Sequence, residues 1–182
     1  TWFATVPGKG VACILNGGLK PYKRKVQYRQ SRGMIPLHYF DFENSQAFLG
    51  NYDFNEIEPF TLITASQNEL IAIIHDEEAT YQQVLPHNQP HIWAPTTLYT
   101  EEVRNKRKRW FTEWLSKNPC PSPSEILNFH RNAGDGDSEN DMIMSRWGLL
   151  STSSITQAQF GENSLQMDFF NLISDKSDHL TL

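Results

Sequence analysis

Three pairs of short β-prone runs, each pair split by a turn, constrain the fold of this chain more than any other feature. Thr1 to Val6 and Val11 to Asn16 flank Pro7-Gly8-Lys9-Gly10, a composition that turns a chain. Phe60 to Ala65 and Leu70 to His75 flank Gln67-Asn68, and both runs are β-branched or aromatic in character. Leu150 to Phe160 and Leu165 to Phe170 flank Gly161-Glu162-Asn163-Ser164. Hairpins imply antiparallel sheets, whose apolar faces helices must cover.

The helices announce themselves by their caps. Ser31 is placed to cap a segment running to Phe42, with Pro36 in or near its first turn. Gln46 to Leu49 suits a short helix. Thr100 precedes Glu101 and Glu102, acids that favour a helix N-terminus, and Val103, Arg107, Trp110, Phe111, Trp114 and Leu115 then share one face. Arg107 lies on that apolar side, where it must snorkel or pair with a carboxylate. Ser122 and Glu125 have capping-box spacing, Pro123 occupies the first helical position, and Gly134 ends the helix. The order of elements predicts a layered α+β domain over residues 1–173, with 174–182 a polar tail.

The 182 residues suit one domain able to bury its own core. A net charge of −5 argues against a nucleic-acid partner. The basic stretch Lys20 to Arg32, interleaved with Tyr22 and Tyr28, reads either as a phosphate-binding segment or as a solvated loop. No run of about 18 apolar residues is present, so no membrane-spanning helix is expected. Cys13, in an apolar run, and Cys120, between two prolines, do not look like a disulfide pair, which makes a reducing, cytoplasmic location the expectation.

The chain carries no Walker loop, His-Glu-x-x-His, Cys-x-x-Cys or Gly-x-Ser-x-Gly. Asp135-Gly136-Asp137-Ser138-Glu139-Asn140-Asp141 has the alternate acids of a calcium loop without its mid-loop glycine or final glutamate, and reads first as an Asx-rich loop bonding its own backbone. His87 and His91, with His130, offer zinc-type side chains from a loop and a helix. Thr1 invites comparison with N-terminal threonine nucleophiles, whose α-amine serves as base. No metal or other cofactor is required by any of these patterns.

Several motifs, taken in order, resemble bacterial members of the NRDE family, the transport-and-Golgi-organisation family. Thr1-Trp2 is similar to the end of its Gly-Gly-Thr-Trp motif, Cys13-Ile14-Leu15-Asn16-Gly17-Gly18 to its strand-then-Asn-Gly-Gly segment, and Ser31-Arg32-Gly33 to its Ser/Ala-Arg-Gly helix start. Asn51-Tyr52-Asp53-Phe54 with Pro59-Phe60-Thr61-Leu62 resembles the strand that follows. Pro90-His91-Ile92-Trp93 through Leu98-Tyr99-Thr100 resembles the approach to its long helix. Phe129-His130 with Ala133-Gly134-Asp135-Gly136-Asp137, and Ser151-Thr152-Ser153-Ser154-Ile155-Thr156, complete the set, which reaches about Leu172. The resemblance implies an N-terminal-nucleophile-hydrolase-like fold, a four-layer αββα sandwich. It further implies that a cysteine nucleophile and an Asn-Arg-Asp-Glu motif precede Thr1, leaving a sheet edge or an apolar cleft of this chain uncovered.

Two functions follow from the resemblance. One is haem or lipid handling without turnover, with some of the 11 Phe, 6 Tyr and 5 Trp lining a pocket and one of His38, His75, His91 and His130 as an axial haem ligand; His91 and His130 are the ligand-binding candidates carried forward. The other is amide hydrolysis of N-acyl amides by the preceding cysteine. Asn16 would then be an oxyanion-hole donor at a strand end beside two glycines, and Arg32 a partner for a substrate carboxylate. Each has a plainer alternative: Asn16 capping a turn, Arg32 pairing with a nearby acid. An adaptor with no ligand is a third possibility.

Overall fold

A computed structural model describes residues 2–182, and the expectation for Thr1 falls outside them. The architecture is α+β with antiparallel sheets. Contacts divide the chain into two compact units, residues up to Leu98 and Tyr99–Leu182, where length alone had suggested one domain.

In the first unit, β1 (Trp2–Val6), β2 (Gly10–Asn16), β3 (Phe60–Ala65), β4 (Leu70–His75) and β5 (Thr80–Leu85) form one sheet in chain order. Every neighbouring pair is antiparallel, with Ile14 opposite Leu62 and Leu62 opposite Ile73. Alternation puts Ala12, Ile14, Phe60, Leu62, Ile71 and Ile73 on one face. The helices α1 (Ile35–Tyr39) and α2 (Ser45–Asn51) meet that face through Ile35, Phe40 and Phe48. Leu15, Ile63 and Ala72 face the other way, against Leu70, Leu85 and Trp93. Among the described residues, β1 and β5 each pair on one side only.

Two local differences have clear causes. Ser31 does cap a helical start, accepting from Gly33 N–H at 3.2 Å, but the first turn is a 3-10 turn over Arg32–Met34 and α1 ends at Tyr39, short of Phe42. The strand β5 escaped the sequence pattern because Gln82 and Gln83 interrupt its apolar residues; its pairing to β4 is carried by the backbone.

In the second unit, α3 (Glu101–Lys117) is capped by Thr100 as its sequence predicts, and α4 (Pro123–Asn132) has both halves of the Ser122–Glu125 capping box. A short hairpin, β6 (Ser145–Arg146) and β7 (Leu150–Ser151), precedes a three-stranded sheet of β8 (Ser154–Phe160), β9 (Leu165–Asn171) and β10 (Lys176–Thr181), in the order β10-β9-β8. The long run from Leu150 is therefore two strands, not one. The expected polar tail is also corrected: Lys176 to Thr181 pairs with Asn171 to Gln166 along its whole length. Its side chains are exposed, so no apolar period marked it as a strand; backbone pairing and the His179–Asp168 side-chain bond at 2.7 Å hold it.

Candidate functional site

A concavity of about 250 Å³ lies between α4 and β8. Pro123, Ile126, Leu127 and His130 line one wall, the spacing of a single helix face. Residues 155–159 of β8 line the other without a break. Five consecutive strand residues point to both faces of a sheet, so the cleft runs along the edge of β8, which among the described residues pairs only with β9. Gln157 spans one end, donating from Nε2 to the Pro123 carbonyl at 2.8 Å.

His130 gives this wall its chemistry. Its Nδ1 is buried and has no hydrogen-bond partner among the described residues. Burial, reinforced by the Arg107 charge, holds the imidazole below its ordinary pKa near 6.5, so it is neutral at pH 7. A neutral ring with an unpaired nitrogen can accept a hydrogen bond or ligate a metal centre.

Arg107 sits behind it with only 7% of its surface exposed. It neither snorkels nor meets a carboxylate, the two outcomes its sequence position suggested. It donates from Nη2 to the Asp141 carbonyl at 2.6 Å and to Tyr99 Oη at 2.7 Å, and from Nε to the Asn140 carbonyl at 3.3 Å. These bonds tie α3 to the acidic loop. The loop satisfies itself in the Asx manner: Asp141 accepts from the N–H groups of Asp135 and Gly136 at 3.0 and 3.2 Å, and Asp137 from Glu139 N–H at 3.2 Å. Among the described residues no group of three or more His, Cys, Asp or Glu side chains is arranged to hold a metal ion.

His38, His75 and His91 each have one ring nitrogen bonded. His38 Nδ1 bonds Tyr52 Oη at 2.9 Å. His75 Nδ1 bonds Thr80 Oγ1 at 2.9 Å, its ring 5.5 Å from Phe54 and 5.3 Å from Phe60. His91 donates from Nε2 to the Pro86 carbonyl at 2.9 Å and stacks 5.6 Å from Trp93. His91 and His130 belong to different units.

Asn16 ends β2, and its carbonyl accepts from Thr97 Oγ1 at 3.3 Å while its side-chain amide has no partner among the described residues. Gly17 follows with φ of 88°, and Thr96 Oγ1, itself buried and unpartnered, lies 2.1 Å from where a Cβ on Gly17 would stand. Only glycine leaves room for that hydroxyl. Arg32 is taken up by a nearby acid: Nη1 lies 3.2 Å from Glu58 Oε2, donates to Tyr22 Oη at 2.8 Å, and also reaches the Pro59 carbonyl at 3.2 Å. Tyr22 in turn donates to Glu58 Oε1 at 2.7 Å, and its phenol is pushed up to about 12 by burial and then by that carboxylate. Glu58 was not singled out from sequence. The signal was there in a lone acid inside Ile57-Glu58-Pro59-Phe60, an otherwise apolar run.

No protein-family model, curated protein or solved structure matches the chain. No helix among the described residues is long and apolar enough to cross a membrane. Burial pushes the Cys13 thiol up to about 11, far from the range of a reactive thiolate.

Proposed function

We propose that this chain is an NRDE-type, N-terminal-nucleophile-hydrolase-like protein that binds an apolar small molecule of the haem or lipid class without turning it over. The ligand site is the α4–β8 cleft, and His130 is its polar contact. The observation that carries the reading is the buried, unpartnered Nδ1 of a neutral His130 on an otherwise largely apolar helix wall. An orphaned polar atom of this kind costs about 1–3 kcal/mol in the free protein, which a bound carboxylate accepting from the Nδ1–H tautomer, or an iron taking the bare nitrogen, relieves. At about 250 Å³ the cleft is smaller than pockets that enclose a drug-sized ligand, so it takes an acyl chain or one edge of a ring system.

Titration of the purified protein with haem and, separately, with oleate tests this. A saturable Soret shift or a saturable displacement of a fluorescent fatty acid is expected, and His130→Ala weakens it about tenfold, the worth of one good polar contact. Absence of saturable binding to both, or equal binding by His130→Ala, contradicts the reading.

A second reading, amide hydrolysis with a nucleophile outside the described residues, is favoured by Asn16 at the end of β2 and the buried, unpartnered Thr96 hydroxyl packed over the adjacent Gly17. Those groups suit an acyl oxygen. A protein carrying that nucleophile then hydrolyses N-acyl amides and loses about 10²–10³ in kcat with Asn16→Ala; no turnover on such a panel rules it out.

A further inference from the structure

The β6–β7 hairpin carries a second, separate feature. Its turn is Trp147-Gly148-Leu149, closed by Leu149 N–H donating to the Arg146 carbonyl at 3.0 Å. Trp147 has φ of 54° and Gly148 φ of 67°, both in the left-handed region, within a three-residue connection in which Arg146 pairs with Leu150. A positive φ ordinarily takes Gly, Asn or Asp, and a bulky residue there is an outlier. Trp147 is nevertheless 75% exposed, Leu149 88% and Leu150 43%. A chain that breaks a local rule to hold a tryptophan in water has a use for it outside the fold.

A second turn adds to the first. Ile173, 77% exposed, lies between β9 and β10, where the Asn171 side chain accepts from the N–H groups of Ile173 and Ser174, both at 3.0 Å. Leu172 N–H donates to the Ser153 carbonyl at 2.9 Å, and Thr152 N–H to the Met144 carbonyl at 2.8 Å. Those bonds set the hairpin base and the Ile173 turn at the same end of the three-stranded sheet. Both apolar sets sit on turns between strands, and neither is among the residues lining the α4–β8 cleft. A rigid flat protein face cannot close around such tips, whereas the boundary between lipid headgroups and acyl chains deforms to take them, and tryptophan prefers that layer.

Charge selects among lipid surfaces. Trp147 to Leu150 carries no charge, and the Arg146 guanidinium is turned back onto the Glu139 carbonyl and Asn140 Oδ1, both at 2.8 Å. The adjoining loop, tied to β6 by Ser145 N–H to the Ser138 carbonyl at 2.7 Å, carries Asp135, Asp137, Glu139 and Asp141. An anionic bilayer would be repelled. We propose that the Trp147-Gly148-Leu149-Leu150 tip, with Ile173 beside the same sheet end, docks this protein on net-neutral lipid bilayers. The site is separate from the α4–β8 cleft and does not depend on it.

The test is sedimentation of the 182-residue chain with phosphatidylcholine vesicles, and with vesicles enriched in phosphatidylserine. The protein is expected to partition onto the first and several-fold less onto the second. Trp147→Ser with Leu149→Ser lowers partitioning at least about tenfold, in line with the apolar surface removed. Brominated acyl chains quench the wild-type fluorescence; Trp147→Phe keeps the turn and the binding but loses that quenching, a readout that survives if the double variant melts early. Failure to bind phosphatidylcholine overturns the proposal. So does equal partitioning of a folded double variant, a requirement for anionic lipid, or a wild-type dimer in solution that the double variant converts to monomer, which would assign the tip to a second copy.

Discussion

Replacing Arg107 by methionine tests the organisation of the second unit. The side chain is buried, and methionine fills a similar volume while removing every donor. The carbonyls of Asn140 and Asp141 and the hydroxyl of Tyr99 lose their partner together. A fully buried orphan costs about 1–3 kcal/mol, and the loop here is half-exposed, so about 1 kcal/mol for each of three groups applies. Relief of the buried charge offsets part of that. A net loss of about 2–3 kcal/mol follows, equivalent to a Tm drop of roughly 10–20 °C for a unit of this size. Arg107→Lys keeps the charge but cannot make the same fork of bonds, and recovers only part of the loss. The same substitution to methionine removes the second cause of His130's low pKa, so the His130 titration midpoint moves up. Thermal melts and NMR titration read the two effects. Melts of both variants within about 0.5 kcal/mol of wild type, the ordinary scatter of surface changes, would refute the network.

Three further outcomes follow from the geometry. His130 and His75 both have depressed pKa values with burial as the main cause, so the unfolded chain takes up protons first; stability is full above about 6.5, falls as pH drops below it, and levels off beneath the folded values, and His130→Gln flattens that slope in pH-dependent melts. Iodoacetamide at pH 8 labels Cys120, which is exposed, while Cys13, with its thiol near 11, is labelled only on unfolding, as peptide mass mapping would show. Gly10→Ala forces a Cβ to 2.2 Å from the Ala65 carbonyl oxygen at φ of 108° and lowers stability by at least about 2 kcal/mol in urea melts.

The elements with chemical punctuation were legible in the sequence. Thr100, Ser122 and Glu125 marked the starts of α3 and α4, and the turns at Pro7–Gly10 and Gln67-Asn68 marked two hairpins. Strands without an apolar period were not: β5 has Gln82 and Gln83 within it, and β10 reads Lys-Ser-Asp-His-Leu-Thr. The candidate site was half legible. His130 stood among the histidines worth testing, but whether a ring nitrogen has a partner depends on residues far along the chain. Arg32 showed the same limit, because Glu58 lies 26 positions away and reaches it only once β3 and the Ser31 turn come together. Arg107 was placed on the correct face, yet its carbonyl partners are 33 and 34 residues distant and carry no charge to betray them.

The most direct test of the account is the imidazole NMR spectrum of His130 during titration with oleate, with the other five histidines as internal controls. The account predicts a saturable shift of the His130 ring signals, with His38, His75 and His91 unmoved because none of them lines the cleft. Saturable binding that leaves His130 unshifted, or no shift at any concentration together with no haem-induced change, would contradict it.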